Sequence, residues 1–224
     1  MSKARSIEMD FYRKHWHDIG GLLAMVIGGS LVLFGKRLSR PQLFSALNFV
    51  TLLVHQFEEY RFPGFFPGQF NGGVFKSDKP DRYPLNTNSA TIINVAIAYP
   101  FYVLPVLFPK KAWLCLSPVL FGFAQALGHG IVFPRLAKAR YSPGFLASLF
   151  LHVPIGIAFI RSIRAEQPLK RSDWIKAILF LPVFAAGGVL APQQLLKDEE
   201  SPYQFTEQQV GSYGRDGRDG GDKN

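Results

Sequence analysis

Six long apolar runs, separated by short blocks that hold most of the charge, constrain this chain more than any other feature. An α-helix needs about 17–25 predominantly apolar residues to cross the hydrocarbon core of a bilayer. The runs cover roughly residues 17–35, 41–60, 87–108, 112–133, 143–160 and 174–196, and Lys36-Arg37 and Pro109-Lys110-Lys111 close the first and third. Backbone polar groups in lipid must be satisfied within the segment, which makes such runs helices. The pattern predicts an all-α, polytopic membrane helix bundle of about six transmembrane helices over residues 1–196. A disordered C-terminal tail, 197–224, is expected to follow, because its closing Gly-Arg-Asp-Gly-Arg-Asp run has nothing to bury.

A mean hydropathy of +0.09 conceals this segregation by averaging over it. The net charge of +9 sits beside the apolar runs, which suits headgroup contacts and topology rather than a nucleic-acid partner. Six crossings put both termini on one side, and a slight excess of Lys and Arg turns that side towards the cytoplasm. The single cysteine, Cys115, excludes an intrachain disulfide. The polar stretch 1–14 is unlike a removable signal peptide. No internal repeat of the hydropathy pattern marks a two-fold transporter.

Within the second run stands Val54-His55-Gln56-Phe57-Glu58-Glu59-Tyr60-Arg61. Positions i, i+3 and i+4 share a helical face, so His55, Glu58 and Glu59 point together, and Thr51 and Asn48 extend the stripe backwards. Ionisable groups at membrane depth are costly and normally face a protein interior. Alternating crossings bring further polar residues to the same end: His17 at the mouth of the first helix, Asn94 in the third, Gln125 and His129 in the fourth, Ser148 and His152 in the fifth. The site is therefore expected between helices 1 to 5, near one leaflet.

Imidazole and carboxylate on facing helices suit a divalent transition metal, Fe or Zn, as one or two ions. The expected ligands are His55, Glu58, Glu59, His129 and His152, with His55, Glu58 and Glu59 as catalytic groups. Asn94, Gln125, His17 and Arg61 are expected around them or against substrate. The competing view of the same stripe is an interfacial cluster in which Glu58 and Glu59 pair with Arg61 or Arg82.

His55-Gln56-Phe57-Glu58-Glu59, a polar third segment with Asn94, a late His129 and Tyr141-Ser142-Pro143-Gly144 before the fifth segment resemble the HXXEE-motif family of small integral membrane proteins. The resemblance runs from the second to the fifth segment. It implies a membrane protein built around the His/Glu motif and says little about the reaction.

Three functions follow from these residues. The first is a metal-dependent enzyme, oxidative at a di-iron centre or hydrolytic, acting on a lipophilic small molecule from the bilayer. The second is a metal-free acid–base catalyst, either an isomerase or a glutamate-type intramembrane protease. The Glu-Glu-x-x-x-Arg pattern of CAAX-type proteases would need arginine where this chain has Pro63. The third is a scaffold or transporter, against which the one-sided placement of polar groups counts. The connection 61–86, dense in Phe, Pro and Gly, is either a lid over the site or an aromatic anchor in the headgroups.

Overall fold

The computed structural model describes residues 3–166 and 168–214, and every regular element among them is helical. Helix α1 spans Lys3–Phe34, so its polar start belongs to the same rod as the apolar run. Helix α2 spans Arg40–Tyr60. It starts in a capping box, with Ser39 Oγ accepting from Gln42 N and Gln42 Oε1 accepting from Ser39 N, and Pro41 fills the first turn where its missing N–H costs nothing. The remaining long helices are α4 Thr87–Leu107, α5 Ala112–Ala137, α6 Phe145–Ile163 and α7 Arg171–Leu195.

Five of these rods (α1 and α4 to α7) are long and apolar enough to cross a membrane. The sixth, α2, is too polar to qualify and is sheltered instead. It packs against α1, α4, α5 and α6, and twelve of its residues are buried, among them Asn48, His55, Gln56, Glu58 and Glu59. The outer surface is apolar: Met25 is 67% exposed and Val32 is 83% exposed. That inversion is what a lipid solvent requires.

The lipid-length helices are not uniform. A π-helical turn interrupts α4 at Ile92–Ile97, α5 at Gly128–Val132, α6 at Ser148–His152 and α7 at Ala185–Leu190. Such single turns bulge the ladder and recur at functional sites.

The connection 61–86 folds back onto the bundle. Its short helix α3, Phe66–Gly68, runs into a π turn, Gln69–Val74. Gln69 donates to Tyr141 O at 2.8 Å, while the Asn71 amide bonds the backbone of Pro80 and Leu85. Phe66 is buried, whereas Phe62 and Phe75 are exposed.

The boundary of the expected tail shifts. Residues 198–214 fold back onto the bundle, with Ser201, Phe205, Gln209 and Val210 buried, and the Gly-Arg-Asp run lies outside the described residues from Arg215 onwards. Helix α8, Glu207–Val210, is capped by Thr206, and Phe205 and Val210 enter a core with Trp16 and Tyr60. Gln209 donates to Tyr60 O at 3.0 Å and Gln208 to Arg61 O at 2.7 Å, satisfying carbonyls that the end of α2 leaves open. A Cβ on Gly68 would lie 2.0 Å from Val210 O, so only glycine lets α3 and α8 meet.

Candidate metal centre

His55 and Glu59 are one helical turn apart on α2, and His129 reaches them from the π turn of α5. Glu59 Oε1 lies 3.5 Å from His55 Nε2 and 3.3 Å from His129 Nε2. One donor atom from each of the three residues lies within 4.8 Å of the other two, and all three side chains are buried. That group can hold a metal ion.

The far side of each ring is fixed. His55 Nδ1 is 3.1 Å from Ser148 Oγ, and His129 Nδ1 is 3.1 Å from Ser142 Oγ. Partners of this kind set ring orientation and tautomer at metal sites. Gln125 Nε2 approaches His55 Nε2 at 3.2 Å. Glycine makes room for the pair of rings. A Cβ on Gly144 would stand 2.8 Å from His55 Cε1 and 2.9 Å from His129 Cε1.

Glu58 does something different from its neighbour. Gly144 occupies the N-cap position of α6 and has no side chain with which to cap it. Glu58 supplies the missing acceptor from α2, taking Ala147 N–H at 2.7 Å and Leu146 N–H at 3.1 Å. A carboxylate at a helix N-terminus also meets the positive end of the helix dipole. Tyr141 donates its hydroxyl to the same carboxylate. Burial, reinforced by that carboxylate, pushes the Tyr141 hydroxyl above the ordinary phenol range, so it stays a proton donor.

His152 stands beside the group without joining it. Its ring is 5.6 Å from that of His55, its Nδ1 donates to Asn48 Oδ1 at 3.0 Å, and its Nε2 has no partner among the described residues. A Cβ on Gly122 would touch this ring at 2.7 Å. Asn94 lines the adjoining cavity, accepting from Gln56 Nε2 and donating to Tyr60 Oη. His17 and Arg61 lie elsewhere. His17 packs on Trp16 and Tyr60, and Arg61 pairs with Asp18 at 3.0 Å. Arg82 pairs with Asp81, not with the α2 glutamates.

The cavity measures about 130 Å³ and opens from His55, Glu59 and His129 between α2, α4, α5 and α7. Its wall is chiefly Leu52, Phe66, Ile93, Phe121, Phe133 and Phe184. Phe66 and Phe133 lie 4.9 and 5.0 Å from the His129 ring, so the connection 61–86 contributes directly to the roof. Sequence reasoning does not mark Gln193 or Tyr60 as site residues, names Ser148 only among the polar residues at that end of the bundle, and meets Ser142 and Gly144 only within the run that carries the family resemblance. Gln193 reads as the polar end of a span, and Gly144 signals itself only through the Tyr141-Ser142-Pro143-Gly144 run.

Residues 46–159, just over half of the chain, match the family model described as proteins of unknown function with an HXXEE motif. The chain belongs to the HXXEE-motif family. The matched region holds α2 to α6 almost entirely, and with them every residue of the His55–Glu59–His129 group. No curated protein and no solved structure matches the chain. The HXXEE family therefore identifies the motif, and the chemistry has to be argued from the side chains.

Proposed function

We propose that this HXXEE-family protein is an integral membrane metalloenzyme acting on a lipophilic small molecule, with His55, Glu59 and His129 holding the ion. One observation carries the reading: the crowding of His55 Nε2 by both Gln125 Nε2 and Glu59 Oε1. The Gln125 amide donates to His55 Nε2, which makes that nitrogen an acceptor, yet Glu59 Oε1 lies 3.5 Å from the same atom. An acceptor nitrogen and a carboxylate facing one another in an apolar interior repel, and a bound cation removes that cost. Two imidazoles and one carboxylate with open positions suit Fe(II) or catalytic Zn. Iron would supply oxidative chemistry there and zinc hydrolytic chemistry.

The chain's own part is positional. Ser148 and Ser142 hold the two rings, Glu59 provides the charge, and the Phe and Leu wall keeps water from the reacting end of the substrate. His152 offers a further nitrogen for a second ion. Glu58 is engaged with the start of α6 and supports the site by fixing the 141–147 segment. Both termini face the cytoplasm in this reading. Contact of the Arg13 guanidinium with the Tyr203 ring, at 4.5 Å, supports their sharing a side.

Elemental analysis of the purified full-length protein tests the proposal. Wild type carries about one equivalent or more of Fe or Zn, and less than about 0.2 equivalents in folded protein refutes it. Glu59→Gln and His129→Ala lose the ion while remaining inserted and folded.

A second reading is favoured by the serines, whose hydroxyls can donate to Nδ1 as well as accept. His129 Nε2–H then donates to Glu59, making a metal-free acid–base pair for an isomerase or protease. Activity that survives exhaustive chelation selects it.

A further inference from the structure

Among the described residues, the cavity beside the His/Glu group contains one polar side chain without any hydrogen-bond partner. Gln193, in α7, is 1% exposed, and neither its Oε1 nor its Nε2 makes a hydrogen bond among the described residues. Buried amides are ordinarily satisfied, and one left open at both ends is retained for a reason other than stability. Gln193 lines the same cavity as His55, Glu59 and His129.

A second group on that wall is half-used. Tyr60 Oη accepts from Asn94 Nδ2 at 3.2 Å and donates to nothing among the described residues, so its proton is free. Asn94 itself is spent, because Gln56 occupies its oxygen and Tyr60 and Ala90 O occupy its nitrogen. The wall therefore presents an open amide acceptor, an open amide donor and a hydroxyl donor within an otherwise hydrocarbon surface.

We propose that Gln193, with Tyr60, recognises the polar head of the substrate. That substrate is a neutral lipophilic molecule whose head both donates and accepts, as an alcohol or a carboxamide does. Among the described residues no lysine or arginine lines the cavity, so Gln193 and Tyr60 offer an anionic head hydrogen bonds but no counter-charge at their end of the wall. A purely hydrocarbon ligand would leave the amide as unsatisfied as before. The volume, about 130 Å³, is close to that of cavities that accept benzene, so the head and the first few carbons fit inside. The inference rests on reading the cavity as a substrate site and is independent of which ion, if any, His55, Glu59 and His129 hold.

Binding of benzyl alcohol and toluene to the full-length protein in lipid nanodiscs tests it, since the two probes differ by one hydroxyl. Wild type is expected to favour benzyl alcohol about tenfold more than Gln193→Met does, as one or two hydrogen bonds to the head imply. Toluene binds both proteins alike. Gln193→Met should also raise the thermal midpoint of the ligand-free protein, because it removes an orphaned amide at nearly constant volume. Tyr60→Phe reduces the preference by a smaller factor. Glu59→Gln keeps it, so failure of the ion-binding reading leaves this result standing. An unchanged preference in Gln193→Met overturns the proposal. So does a lowered midpoint in that variant, which would make Gln193 a packing residue, and so does a preference lost only in Glu59→Gln.

Discussion

Alanine at position 144 is expected to disturb the His55–Glu59–His129 group without touching any donor atom of the proposed metal site. Gly144 has φ +99°, a conformation that costs an L-residue about 1–2 kcal/mol. Its new Cβ would stand 2.8 Å from His55 Cε1 and 2.9 Å from both Cε1 and Nδ1 of His129. Neither ring can swing aside cheaply, because Ser148 holds one, Ser142 holds the other, and Phe66 and Phe133 pack on His129. Overpacking of this kind costs about 1–3 kcal/mol. Together the two effects come to roughly 2–5 kcal/mol, a large part of the ~5–15 kcal/mol that holds a typical domain. Thermal unfolding and elemental analysis of the same preparation should show a lower midpoint and at least a tenfold loss of bound metal. Gly29→Ala is the control. No atom lies within 4 Å of its Cβ, so it should gain ~0.5–1 kcal/mol of helix stability and keep its metal. Wild-type melting and occupancy in Gly144→Ala would refute the argument, since the two rings could not then be seated against this glycine.

Two further outcomes follow from the same contacts. Glu58→Gln replaces one of the two oxygens that receive Leu146 and Ala147 N–H, and should cost about 1–3 kcal/mol in unfolding while lowering metal content far less than Glu59→Gln does. Ending the chain after Lys197 uncovers Tyr60, Phe66 and Trp16. It should lower the thermal midpoint and speed proteolysis in the connection 61–86, and unchanged cleavage there would sink the claim that 198–214 clamps it.

The membrane bundle was legible because hydrocarbon thickness writes itself into segment length, and the five lipid-length helices lie close to the expected spans. Helix α2 was legible for a different reason: its polar stripe needs shelter, and the other helices give it. Two members of the expected donor set, Glu58 and His152, sit apart from the three that converge. Spacing alone could not separate Glu58 from Glu59, since i+3 and i+4 flank one line of a helix. What divides them is a bare N-cap at Gly144, which draws one carboxylate towards α6. The packed stretch 198–214 escaped notice because its few buried residues, Ser201, Phe205, Gln209 and Val210, are embedded in polar sequence that carries no periodic signal. Gln193 escaped because an unsatisfied amide is a property of its surroundings, which no local pattern encodes.

The π turns have a consequence for how such a chain can vary. Each carries one residue more than the α-helical ladder requires, and His129 and His152 belong to two of them. Deleting a single residue from 128–132 or 148–152 would let the helix close up as an ordinary α-helix, with the segments beyond keeping nearly the facing they have and only the local turn that presents His129 or His152 lost. Length and apolar character would hardly change, so the shortened protein would still enter a bilayer as a bundle. Its inward-facing chemistry would change at the turn alone, whereas a deletion elsewhere in the same helices turns everything beyond by about 100°, so the two kinds of deletion separate the presentation of His129 and His152 from the register of the bundle.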